Sequence, residues 1–214
     1  MDTIEIITLS MGAAWASGIN LYAAIFMLGY MGTTGNIDLP PDLEVLTNPL
    51  VMAAAGLMYM VEFFADKVPG VDNVWDSIHT FIRIPAGAML AAGAVGEMGP
   101  GVELAALIVG GSLSTATHAT KSGTRMLINT SPEPFTNWTA SITEDVVVIG
   151  GLWAALQHPW VFVALLVIFI LLMIWLLPKI WRGIKFVFAK IRSLFGGKKT
   201  EKPDSSDPPS DPVS

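Results

Sequence analysis

Cysteine is absent from the 214 residues. That excludes disulfide staples, thiolate metal sites and cysteine nucleophiles. Charge is scarce as well. It makes up 14% of the chain, where a soluble domain carries about 25%. Basic residues are nearly missing from most of the chain. Of twelve Lys and Arg, only Lys67, Arg83, Lys121 and Arg125 precede Pro178. That spread does not make a nucleic-acid surface. The sequence also has no G-x-x-x-x-G-K-[ST], no H-E-x-x-H and no G-x-S-x-G, so none of these soluble-enzyme motifs applies. The opening MDTIEIITLS is acidic, where a secretory signal begins basic. The first apolar stretch is therefore expected to be a retained helix.

What is present is apolar. Hydrophobic residues make up 52% of the chain. Uncharged runs cover 6–37, 45–61, 84–96, 104–120 and 146–178. About 20 apolar residues cross a hydrocarbon core of about 30 Å. The last run would reach about 50 Å as one helix, too far for one straight pass. Gln157-His158-Pro159 offers a break, giving a short fifth helix over 146–156 and a sixth over 160–177. The third run is also short, unless Ser77 to Arg83 extends it. The predicted fold is an all-α integral membrane protein with about six transmembrane helices, the third and fifth short or re-entrant. Four crossings with two re-entrant hairpins is the alternative.

Three domains follow: a transmembrane domain over 1–178, a basic amphipathic juxtamembrane helix over 179–197, and an acidic, proline-rich, disordered tail over 198–214. In the second of these, Ile180, Ile184, Val187, Ile191 and Leu194 recur at helical spacing. Lys179, Arg182, Lys185, Lys190 and Arg192 occupy much of the remaining surface. Such a helix lies in the headgroup layer and attracts anionic lipid. With this basic segment in the cytoplasm, six crossings place every Lys and Arg there, as the positive-inside rule expects. Both termini would then be cytoplasmic.

Two segments, 45–96 and 104–156, each read as an apolar helix, a polar loop and a short run of small residues. That pattern predicts an internal duplication, either a parallel repeat of these segments or two inverted halves of three helices each, and short interrupted helices in matched positions are where transporters place their sites. Gly87, Ala88, Ala91, Ala92 and Gly96 form small-xxx-small pairs suited to close helix packing.

The polar residues fall at helical spacing. Glu62 and Asp66 are four apart, as are Asp72 and Asp76. Asp76, His79 and Arg83 stack at three and four. His118, Lys121 and Arg125 share a face with Ser122. Glu144 and Asp145 are expected at the start of the fifth helix, where carboxylates complement the helix N-terminus. Glu133 lies in the loop NTSPEPFTNW. A functional reading makes these twelve residues a substrate or ion site. A structural reading makes them interhelical salt bridges, such as Asp76–Arg83 and Glu62–Lys121. No cofactor is predicted. A divalent cation finds carboxylates and imidazoles here, but no diagnostic ligand spacing supports it.

The blocks VEFFADKVPGVDNVWDSIHTFIRIPAGAMLAA and THATKSGTRMLINTSPEPFTNWTASITEDVVV, then HPW, carry a resemblance. Together with SGINLYAAIFMLG they resemble the bacterial membrane family catalogued as domain of unknown function 4126. The resemblance runs from about Gly12 to Pro178. It implies a bacterial inner-membrane protein and directs attention to E-F-x-A-D-K-x-P-G-x-D and N-T-S-P-E-P. It brings no substrate or catalytic residue.

The leading functional expectation is a small transporter or channel for an ion, small solute or lipid-like substrate. Alternating access is hard to build in 214 residues, which favours a homo-dimer. A membrane assembly or scaffold protein and an intramembrane lipid-modifying enzyme are the alternatives.

Overall fold

Asp2 begins the first helix. Its side chain accepts from the Glu5 amide at 2.8 Å, and Glu5 accepts from the Asp2 amide at 2.8 Å. This reciprocal capping box satisfies two otherwise orphaned donors. In the computed structural model, which describes residues 1–68, 70–130 and 134–195, all regular structure is helical. The helices are α1 (Thr3–Thr33), α2 (Pro49–Ala65), α3 (Val71–Ala94), α4 (Pro100–Ile128), α5 (Pro134–Gln157) and α6 (Pro159–Phe195). Short 3-10 helices cover Pro41–Thr47 and Gly96–Met98.

α1 is not a straight rod. At Asn20 the backbone leaves the helical region (φ −146, ψ 96). The Asn20 side chain accepts from the Ala23 amide at 3.0 Å and so caps the second half. Thr8 bonds the carbonyl of Ala155, while Asn20 bonds Asp145. The first half therefore runs antiparallel to α5. The second half comes back: Leu28 and Met31 pack in one cluster with Leu9 and Leu156. A straight helix of this length would separate its ends by about 46 Å. Instead Glu5 and Gly35 line one small cavity beside Gln157. α1 is a re-entrant hairpin with its tip at Asn20.

α3, α4 and α5 surround this hairpin. Ser10 bonds the Ala91 carbonyl at 2.8 Å and Ser17 the Arg83 carbonyl at 3.0 Å. Ser114 reaches the same Arg83 carbonyl at 3.1 Å. A Cβ on Gly110 would strike the Ala91 side chain, and one on Gly87 would come within 2.7 Å of the Ser114 Cβ. Small residues thus let α3 and α4 meet at backbone distance. α6 lies outside. Phe162 and Phe169 pack edge-on against Trp15, and Ile180 covers Gly123.

These helices correct the expectation of about six crossings. By length and composition, three of the described helices could cross a membrane: α1, α5 and α6. A fourth counts if Pro41–Thr47 and α2, bent by 68° at Asn48, form one broken span. α1 itself folds back, so the re-entrant element is the first helix. The third and fifth helices are neither short nor re-entrant, at 24 residues each. The uncharged runs are only parts of them. α3 and α4 continue into charged segments, which removes them from the set of candidate spans. In both segments the short small-residue run is the C-terminal end of a longer helix, α3 or α5. Glu144 and Asp145 lie in the middle of α5, not at its start.

The first residues sit where α6 begins, beside Leu156 and Gln157. α6 then runs the length of the bundle and on through Pro178. The basic segment is its C-terminal part. The expected tail, 198–214, lies outside the described residues.

Candidate functional site

α2, α3, α4 and α5 converge below the tip of α1, and their polar faces meet there. Arg83 extends from α3 between two carboxylates. It donates to Glu62 Oε1 at 2.6 Å and to Asp76 Oδ1 at 2.9 Å. Lys121 on α4 donates to Glu62 Oε1 at 3.2 Å, to Asp66 Oδ2 at 3.0 Å and to the Ile19 carbonyl at 3.0 Å. Arg125, one turn on, grips Glu144 with two nitrogens at 3.1 and 2.8 Å. It also holds the carbonyls of Asp66 and Asn137. The planar guanidinium fork suits such bidentate contacts. Arg83 and Arg125 are fully buried.

The hydrogen bonds set the tautomer of His118. Arg83 has only donors, and its Nη1 faces His118 Nδ1 at 3.3 Å. That nitrogen therefore carries no proton. His118 Nε2 donates to Thr80 Oγ1 at 2.7 Å, and Thr80 donates onward to the Asp76 carbonyl. His118 is a neutral imidazole. His79 stands apart from the charges. Its Nδ1 donates to the Trp75 carbonyl at 2.9 Å, its Nε2 shares a hydrogen bond with the Tyr22 hydroxyl at 3.0 Å, and its ring stacks on Trp75.

Of the expected site residues, Glu62, Asp66, Asp76, Arg83, His118, Lys121, Arg125 and Glu144 form one network. The salt bridges Asp76–Arg83 and Glu62–Lys121 both belong to it. Asp72 closes one edge, accepting from Asn129 and from the amides of Gly70 and Asn73. Asp145 lies at the hairpin tip and accepts from Asn20 Nδ2 at 3.0 Å. Glu133 lies outside the described residues. Among the described residues, no group of three His, Cys, Asp or Glu is placed to hold a metal ion.

Sequence reasoning passes over Asn20, Lys67, Asn129, Asn137 and Ser141 as site residues. Asn20 does signal itself as the lone amide inside a long apolar run. Lys67 donates to the Phe63 carbonyl at 2.9 Å and to Ser141 Oγ at 3.3 Å. Burial lowers its pKa from the ordinary lysine value, against the opposing charges of Asp145 and Asp66. With Lys67 included, all four bases before Pro178 belong to this region.

Six carboxylates (Glu62, Asp66, Asp72, Asp76, Glu144 and Asp145) face those four bases, leaving an excess of negative charge. Among the described residues, three buried carboxylate oxygens have no hydrogen-bond partner: Glu62 Oε2, Asp66 Oδ1 and Asp145 Oδ2.

Two cavities approach the hairpin tip. One, of about 830 Å³, lies between the second half of α1, α2 and α5. It runs from Asn36 and Gln157 inward to Ala23 and Tyr59. The other, of about 180 Å³, is lined by Ile19, Lys121, Glu144 and the threonines of α4 and α5.

No curated protein and no solved structure matches the chain. A family match covers most of it and upholds the resemblance carried by the motif blocks. Residues 7–179 match the family described as Domain of unknown function (DUF4126), and the chain belongs to that family.

Proposed function

We propose that this protein is a small membrane transporter that passes an ion or small polar solute by the tip of its re-entrant hairpin. One observation carries the reading. Ile19 and Ala23 flank Asn20 in sequence, yet they line different cavities. The Asn20–Asp145 hydrogen bond stands between them. Broken helices supply such sites because their half-helix ends carry partial charge. Here the end of the first half meets the Lys121 ammonium, and the start of the second half meets Asp145. The excess of carboxylate in the network favours a cationic solute over an anionic one.

The membrane in this reading is the bacterial inner membrane, with the end bearing the C-terminal part of α6 in the cytoplasm. The five bases of that segment and the buried network then face the same side. The N-terminus comes out on the opposite face.

A lipid-modifying enzyme would need Asp76, His79 or His118 at a lipid-facing cleft. All three are buried and hydrogen-bonded inside the bundle. The paired charges do fit a scaffold, so the test separates transport from scaffold. The chain's lack of cysteine makes it direct. Met27→Cys places a thiol on the first cavity and Thr120→Cys places one on the second. In oriented vesicles, an impermeant thiol reagent is expected to label the first from the N-terminal face and the second from the basic face. Failure of both to label, in folded protein, would leave the scaffold reading.

A further inference from the structure

Asp145 differs from every other carboxylate of the network. Glu62, Asp66, Asp76 and Glu144 each meet a cation within 4 Å. Asp72 is held by Asn129 and two backbone amides. Asp145 meets neutral groups instead: Asn20 Nδ2 donates to Oδ1, and the Tyr59 hydroxyl lies beside the carboxylate. Its Oδ2 is buried without a partner among the described residues. An ionised carboxylate loses most of its hydration on burial, and only pairing or protonation offsets that cost. Ser141 lies one turn before Asp145 on the same face of α5. Its hydroxyl accepts from the Lys67 ammonium, and Lys67 stands in the loop after α2, at the basic end of the bundle.

We propose that Asp145 is a proton-exchange site at the tip of the re-entrant hairpin, beside the Lys67 ammonium. Asp145 takes its proton from hydronium: one O–H bond of the hydronium breaks, an O–H bond forms on the carboxyl, and water and a neutral acid remain. The Lys67 ammonium, held by the Ser141 hydroxyl one turn away, favours the ionised carboxylate and so opposes that step. The charged and titratable groups around the pair are Tyr59, Glu62 and Asp66 on α2 and Lys121 and Arg125 on α4. Asn20 on α1 is the neutral donor.

A neutral Asp145 is a weaker acceptor for Asn20 than a carboxylate. Protonation therefore loosens the bond between the two cavities. This last step rests on the transport reading, whereas the proton site itself does not.

Infrared difference spectra of the full chain in lipid nanodiscs test the site. The range runs from about pH 8 to about pH 5.5, above the ordinary carboxylate values. The expected result is a protonated-carboxyl band that Asp145→Asn removes, Asp145→Glu moves in frequency, and Lys67→Met shifts in midpoint. Should Asp145→Asn fail to fold, the Asp145→Glu and Lys67→Met spectra decide alone. A spectrum with no such band, or a band unchanged by all three substitutions, overturns the proposal. Thiol labelling without the band would leave transport standing and remove Asp145 as its proton site. The band without labelling would do the reverse.

Discussion

α1 and α6 both look like membrane helices in sequence, yet they occupy opposite environments. In its most apolar stretch α6 has 11% of its residues buried, whereas α1 has 72%. The more apolar helix faces outward and the less apolar one forms the core. In a membrane, lipid is as apolar as leucine, so hydrophobicity alone does not draw a helix inward. Close packing and hydrogen bonding do. α1 brings small residues and hydroxyls, and Thr8, Ser10 and Ser17 each bond a carbonyl of a neighbouring helix. α6 brings long branched side chains and few polar groups.

The largest expected effect breaks the interior at its most charged point. Arg83→Met would remove the closest cation of both Glu62 and Asp76 and leave them only Lys121, which Asp66 already engages. A loss of about 3–5 kcal/mol is expected for a buried charge left unpaired, measured as a lower unfolding temperature in nanodiscs. A loss no greater than that of a lipid-facing substitution would mean that water enters the network and shields it.

Two adjacent glycines on α5 sharpen the comparison. A Cβ on Gly151 would collide with the Trp15 ring, whereas Gly150 has open space around it. Gly151→Ala is expected to destabilise by about 1–3 kcal/mol through overpacking. Gly150→Ala should be neutral or stabilising, by up to about 1 kcal/mol from helix propensity. Paired thermal melts would show the difference, and equal melts would place α1 elsewhere.

Asn20→Ala removes both the cap on Ala23 and the donor to Asp145. A loss of about 1–2 kcal/mol is expected. Greater thiol labelling of Met27→Cys and Thr120→Cys should accompany it if the tip separates the cavities. Leu171 on α6 is 61% exposed. Leu171→Ala should change stability by less than about 0.5 kcal/mol, and a larger loss would reveal a partner covering that face.

Much of the polar site is legible in the order of the residues. Helical spacing alone groups Asp76 with Arg83 and His118 with Lys121 and Arg125, and those groups meet. The crossing count is less legible. Runs free of charge suggest whole helices, but α3 and α4 keep their charges within the helix by burying them against the carboxylates of α2, α5 and the turn after α2. Nothing in the pattern of apolar residues distinguishes a buried arginine from one at a membrane surface. The hairpin in α1 is hidden for a related reason. One asparagine in a long apolar run is compatible with a straight helix, and the turn becomes favourable only when Asp145 and the Ala23 amide satisfy its side chain.

By itself, then, the sequence determined the membrane class, the family, the helical content and the residues able to form charge pairs. These follow from composition, motif and local periodicity. Only the tertiary structure decided that α1 returns to its starting face, that the start of α1 and the C-terminal part of α6 lie at opposite ends of the bundle, and that Asp145 pairs with an amide where Glu144 beside it pairs with a cation. Each depends on contacts between residues tens of positions apart, and local pattern carries no record of them.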